Sequence, residues 1–180
     1  MTRGLLGTPY HAVGMVGPFK EMGVSLQNDV DAGATNVGRQ LVIDMGYTVA
    51  AGPQQPGGED VLTYPCAGTT GTEWELTQES PPPRPNLSTN PAGQPVVFIV
   101  RPGQTVSISS IAMTVAGTGA AVPLDTPVTS LNDVNGELQS NQAFVLPTSP
   151  LTPNTMYHVV ASGLNNGSPW NKDFTFTTGS

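Results

Sequence analysis

The chain is short of the residues on which most simple functional assignments rest. A single cysteine, Cys66, among 180 residues excludes an intrachain disulfide and a cysteine-rich metal site, and its simplest expected place is that of a small buried hydrophobe. Six lysines and arginines are scattered against thirteen aspartates and glutamates, for a formal net charge of −7. That balance excludes the clustered positive charge that non-specific nucleic-acid or anionic-membrane binding requires. Charged residues make up only 11% of the chain and aromatic residues 6%, and there are two histidines, His11 and His158. Residues 1–10 lack a sustained apolar core, so neither a signal peptide nor a membrane span is expected there. No P-loop, dinucleotide fingerprint, nucleophile elbow or zinc helix is present. Gly117-Thr118-Gly119 lies between predicted strands with no helix after it, and reads as a turn.

What the chain does have is turn-formers. Twenty-one glycines and eighteen prolines describe a β protein of short strands, in which helix is hard to find. The best-specified stretch is residues 151–164. Before it, Ala143-Phe144-Val145-Leu146-Pro147 reads as a strand; within it, Met156, His158 and Val160 alternate with Tyr157, Val159 and Ala161, so that one face is buried and the other wet. Lys172-Asp173-Phe174-Thr175-Phe176-Thr177-Thr178 repeats the alternation. Further strands are predicted at residues 94–100, 105–115 and 122–125, with a loop over 130–141. In immunoglobulin-like sandwiches a tyrosine at this kind of corner turns its hydroxyl back onto the preceding backbone, and Leu151-x-Pro153-x-Thr155-x-Tyr157 has that form. The ending from residue 150 to 179 resembles the immunoglobulin-like or fibronectin-III-like modules of secreted bacterial proteins. The resemblance implies an antiparallel β-sandwich over residues 96–180 and is silent on chemistry.

At the amino terminus, residues 8–15 read as a helix end or turn, followed by strands at 19–26 and 40–46 around a polar loop, 27–39. Pro9-Tyr10-His11 and Glu21-Met22-Gly23-Val24 resemble the carboxy-terminal part of bacterial CAP (SCP-like, cysteine-rich secretory protein type) domains. On that likeness residues 1–50 are a CAP-like hairpin remnant without the helical half that would supply further cavity ligands, and His11 alone carries over as a cavity residue. Residues 51–95 read as a Pro/Gly-rich connector with short strands at 60–65 and 73–76, a turn at 66–71, and an extended polyproline-like run at 79–85. The resemblance implies an exported protein, extracellular or periplasmic, whose targeting segment lies outside this chain.

Three constellations carry candidate chemistry. His11 reads either as a packed imidazole or as a general base with Glu21 or Asp44 as its orienting carboxylate; no serine is marked as a nucleophile. Asn132-Asp133-Val134-Asn135-Gly136-Glu137 has calcium-loop spacing at Asp133 and Asn135 without the later bidentate glutamate, and equally describes an Asx-rich turn. Trp74 and Trp170, with Tyr47 and Tyr64, suit either a sugar-stacking platform or core packing. His158 reads as a solvent-facing strand residue. The expected function is an exported binding or structural module without catalysis or cofactor, its partner a glycan or cell-surface polymer, with homo-oligomers through β edges as a further expectation. The alternative is a minimal extracellular hydrolase or metal-dependent enzyme acting on a polymer, centred on His11.

Overall fold

In the computed structural model, which describes residues 2–29 and 38–180, the corner at residues 151–157 is closed by the phenol of Tyr157. The side chain is 2% exposed, and its hydroxyl accepts the Thr152 N–H at 2.7 Å, while the ring stacks on Phe176 at 5.7 Å. Asn154 turns the chain at φ 51°. Thr178 ties the corner to the last strand, its Oγ1 donating to the Thr152 carbonyl at 2.7 Å and accepting the Thr155 N–H at 2.9 Å.

The element order is α1 (Thr2–Leu6), α2 (Pro9–Met15), β1 (Glu21–Asp29), β2 (Gly38–Gly46), β3 (Leu62–Tyr64), β4 (Thr70–Thr72), β5 (Val96–Ile99), β6 (Val106–Val115), β7 (Ala121–Val122), β8 (Val128–Thr129), β9 (Gln142–Val145), β10 (Met156–Asn165) and β11 (Ser168–Thr178). The chain divides into two units, Met1–Val16 with Pro56–Ser180, and Gly17–Gln55.

The larger unit is a mainly antiparallel β-sandwich. One sheet runs β4-β11-β10-β6-β7 and the other β3-β5-β9-β8. Burial along β10 alternates strictly, Tyr157, Val159 and Ala161 inward, because successive side chains of a strand point to opposite faces. Between the sheets, Val96, Phe98 and Val145 of one face meet Met113, Val159, Trp170, Phe174 and Phe176 of the other. Gly163 lets this layer close: a Cβ there would lie 1.9 Å from the Ser107 carbonyl oxygen and 2.7 Å from Trp170 Cζ2, at the point where the β6–β10 register shifts.

A second core lies on the other face of the four-stranded sheet. Val97 and Ile99 of β5, with Phe144 and Leu146, pack against Ala12 and Val13 of α2 and against Leu76, Leu87 and Ala92. Strand β5 is therefore buried on both faces, and each of its large side chains contributes about 1.5–3 kcal/mol by leaving water.

Several expectations are corrected here. A turn was expected at residues 66–71, yet Thr70–Thr72 is a strand that pairs in parallel with β11, so the sandwich is not wholly antiparallel. Residues 73–76 form no strand, only a single bridge between Leu76 and Ala92. Trp74 packs on the inner core and Leu76 in the outer one, whereas residues two apart on a regular strand face the same side. The sheets do not begin at residue 96, because β3 and β4 lie within the expected connector and hydrogen-bond to β5 and β11. Residues 1–50 are not one piece: the helices pack on the sandwich, and the hairpin belongs to the other unit. Cys66 is exposed, its thiol donating to the Thr63 carbonyl at 3.2 Å, since it sits in the turn after β3 and outside either core.

In the smaller unit β1 and β2 pair antiparallel from Glu21↔Gly46 to Asp29↔Gly38. The pairing runs further into the expected loop than polarity suggested; residues 30–37 of that loop lie outside the described residues. Met22, Val24 and Leu26 form one face of β1 at 61%, 57% and 56% exposure. Beyond the hairpin, Lys20 Nζ donates to the Ala51 carbonyl at 2.6 Å.

Candidate functional site

The amino end of α2 defines the site. Pro at the first helical position is preorganised for a helix start. The N-cap, Thr8, gives the helix no side-chain bond; its hydroxyl donates instead to the Leu5 carbonyl at 2.7 Å. The cap comes from Glu79, whose Oε1 accepts the Tyr10 N–H at 3.0 Å and the His11 N–H at 3.1 Å and lies 3.0 Å from His11 Nδ1. Its side chain is 0% exposed, against 48% for His11, and Oε2 has no hydrogen-bond partner. Burial pushes the Glu79 carboxyl above its ordinary range, while the bonds from His11 and Tyr10 pull the other way without winning.

An ionised carboxylate only accepts hydrogen bonds, so against ionised Glu79 the proton of neutral His11 sits on Nδ1 and Nε2 is left free. The orienting carboxylate is thus Glu79. Glu21 and Asp44 are exposed residues of the hairpin, on its polar face and set off diagonally by the register Glu21↔Gly46 and Gly23↔Asp44. Among the described residues no serine, threonine or cysteine hydroxyl or thiol bonds to Nε2; the one hydroxyl near the ring, Thr8 Oγ1, approaches Nδ1 at 3.2 Å.

The pair lies in an open cleft of about 660 Å³ between the α1–α2 turn and residues 73–80. Glu73 and Glu75, both half-buried, share its wall with Thr8, His11 and Glu79. The wall is closely fitted: a Cβ on Gly7 would come within 2.6 Å of Glu73 Cγ and 2.9 Å of its Cβ. Sequence reasoning missed Glu79 because it is 68 residues from His11. The signals were a Thr-Pro helix start with histidine, not glutamate, at the third helical position, and a lone acid opening a proline-rich run.

The other candidates resolve differently. Asp133 Oδ1 accepts from the Tyr10 hydroxyl at 2.6 Å and the Asn135 N–H at 3.2 Å, and Oδ2 from the N–H groups of Glu137 at 2.7 Å and Leu138 at 3.0 Å. A carboxylate offers about four acceptor sites, and all are taken. Burial works against its charge, but the bonds from Tyr10 and the three amides outweigh it and hold Asp133 below its ordinary range. Burial, with Asp133 beside it, pushes the Tyr10 phenol upward. Asn135 Nδ2 donates to Tyr10 Oη at 2.9 Å and to the Pro82 carbonyl at 2.8 Å. The loop is an Asx clamp on α2 and the proline run, in which the protein's own donors occupy the Asp133 oxygens. Among the described residues no group of three or more His, Cys, Asp or Glu is placed to hold a metal ion.

The tryptophans make no platform either. Trp170 is 6% exposed and lies 5.4 Å from Phe98 in the core; its inward phase on β11 buries it above Gly163. Trp74 and Tyr64 are half-buried against different cores, and Tyr47, 44% exposed, belongs to the other unit. His158 stays on the outer face, its Nε2 2.6 Å from Asp173 Oδ1. Among the described residues no helix is long and apolar enough to cross a membrane.

No known protein-family model matches this chain, and no curated protein matches it at a significant level.

Proposed function

We propose that this chain is an exported bacterial binding or structural module without catalysis, its ligand a glycan or other cell-surface polymer taken up in the Glu79 cleft. One observation carries the reading: the cleft pairs an imidazole with a buried carboxylate, yet no hydroxyl or thiol among the described residues bonds to the imidazole nitrogen that would activate it. Acyl transfer by a side-chain nucleophile needs that contact. An immunoglobulin-like scaffold is supported by the Tyr157 corner and by strand order, since β3-β5-β9-β8 and β6-β10-β11 follow the two-sheet arrangement of that class. A CAP-like origin for residues 1–50 draws only on the Pro9-Tyr10-His11 and Glu21-Met22-Gly23-Val24 likeness.

The test is to incubate the pure protein with glycans, peptides and esters, scoring binding and turnover separately. Binding without turnover is expected. Turnover abolished by His11→Ala would establish the alternative, a minimal hydrolase acting on a polymer, with Glu79 in the orienting role and water as the nucleophile.

A further inference from the structure

The hairpin of the smaller unit sorts its side chains by face. Met22, Val24 and Leu26 of β1 stand on one side at 61%, 57% and 56% exposure. The register sets Met45 beside Met22 and Ile43 beside Val24, and directly opposed residues of an antiparallel pair share a face, so these half-buried side chains of β2 complete the apolar side. Glu21 and Asp44 alternate onto the reverse side, where both are exposed. The strand residues of the apolar side whose side chains are described carry no charge. A two-stranded ribbon is at best marginally stable in water unless another layer covers its apolar face, and Gly17–Gln55 is a compact unit of its own. A ribbon of this kind gains stability by acquiring a second layer.

Charge, symmetry and size identify that layer. The chain carries a net charge of −7, which sets copies of it against one another through self-repulsion. Through the apolar side of the hairpin two copies meet without opposing carboxylates, since Glu21 and Asp44 of both are turned outward. A basic partner would be drawn to the reverse side instead, where those carboxylates stand. The apolar side is also self-complementary: a two-fold axis through the Val24–Ile43 row lays the Met22–Met45 end of one copy over the Leu26 end of the other. Strands of nine paired residues, rising about 3.4 Å per residue and lying about 4.8 Å apart, give a face of roughly 30 Å by 10 Å, so a pair of copies covers about 600 Å². That falls below the roughly 1,000 Å² of a stable interface, and it sets the strength of the contact: reversible, and populated at high protein concentration.

We propose that two copies of this chain associate face to face through the Met22, Val24, Leu26, Ile43 and Met45 side of the hairpin, stacking two ribbons about 10 Å apart into a four-stranded, two-layer sandwich. The unbranched methionines adapt to the leucine they meet across the two-fold. The dimer does not involve the Glu79 cleft and stands whether or not a ligand is bound there. Its driving force is burial of apolar surface, so salt that screens the −7 charge strengthens it.

Sedimentation equilibrium of the pure chain, from about 10 µM to about 1 mM, tests it. The mass should climb from monomer towards dimer with concentration, and further at about 0.5 M than at about 0.05 M salt. Val24→Glu should weaken association at least about tenfold, whereas Ser25→Glu adds the same charge one residue along, on the reverse side, and should leave it within about twofold. Val24→Thr keeps the β-branched shape that a strand favours and should also weaken association, so the result does not depend on a hairpin that tolerates glutamate. In hydrogen exchange on the parent protein, the β1 and β2 amides should gain protection as concentration rises while those of β10 stay constant. A monomer at every concentration in both salts would overturn the proposal. So would association that survives Val24→Glu, as pairing through strand edges would, or that falls equally with Val24→Glu and Ser25→Glu.

Discussion

Tyr157→Phe isolates the one hydrogen bond that closes the sandwich corner. The substitution retains the ring, its stacking on Phe176 at 5.7 Å and its burial at 2% exposure, so the hydrophobic contribution cancels between the two proteins. What is lost is the acceptor for the Thr152 N–H at 2.7 Å. Because Thr152 itself is exposed, water partly replaces the phenol, and the cost is set at about 1–2 kcal/mol, the lower half of the range for an unsatisfied group. For a unit of this size that lowers Tm by about 3–7 °C. Tryptophan fluorescence is the right probe, because both tryptophans, Trp74 and Trp170, pack on the sandwich core and the hairpin unit is silent. Tyr157→Leu, which also removes the ring, should cost more than Tyr157→Phe. A Tyr157→Phe melt within about 1 °C of the parent protein would refute the claim that this bond stabilises the corner.

Three further outcomes follow from the geometry. Gly163→Ala should destabilise by about 3 kcal/mol or more and shift the Trp170 emission, because backbone cannot yield to a Cβ as a flexible side chain can; a loss under about 1 kcal/mol in a urea titration would show that the strands do not approach so closely. Glu79→Gln should match or exceed the parent in Tm at neutral pH. The folded state holds the Glu79 proton more tightly than the unfolded chain, so stability is lost as pH rises through the raised folded value, and the variant's advantage should fade on acidification; an advantage that grows in acid would contradict the sign. Asp133→Asn should cost about 2 kcal/mol at neutral pH through its weakened bonds to Tyr10 and the amides. The Asp133 contribution is present above its ordinary value of 3.8 and lost as pH falls through the lowered folded value, so the difference should vanish in strong acid, and melts with and without chelator should superimpose.

What the sequence made legible was local. The alternation in β10 and β11 and the Pro153-Tyr157 spacing are written within a few residues of the bonds they make, and the corner could be placed from them. The run Val96-Val97-Phe98-Ile99-Val100 is unbroken rather than alternating, a pattern that signals burial on both faces, though nothing local says which element covers the second face. That cover is α2, roughly eighty residues earlier in the chain, together with Leu76, Leu87 and Ala92, and the seven residues of α2 are too few to show a convincing helical period. The connector was misjudged for a related reason. Proline and glycine exclude helix and central strand, but they do not exclude an extended segment anchored by side chains. Arg84 does this, donating to Asp125 at 3.0 Å and to the carbonyls of Asn90 and Thr148 at 2.6 and 3.1 Å. His11 was recognisable as a candidate; its carboxylate was not, since residues near in sequence were preferred to one near in space.

The cleft and the outer core have one origin. A four-stranded sheet with apolar residues on both faces needs a second cover, and a helix laid across it exposes N–H groups at its start that must find acceptors. Thr8 is committed to Leu5, so the acceptor has to come from the neighbouring segment. The run from Glu79 to Pro85 is well suited to that: its prolines supply no N–H donors of their own, leaving the single carboxylate at its head to serve α2. Capping uses one oxygen, and the other is buried without a partner. The buried, unpartnered Oε2 of Glu79, beside an open, acidic cleft, is therefore a consequence of how the sandwich is covered. Binding there should protect the α2 amides from hydrogen exchange more than those of β10, which are bonded within the sheet whether or not the cleft is filled.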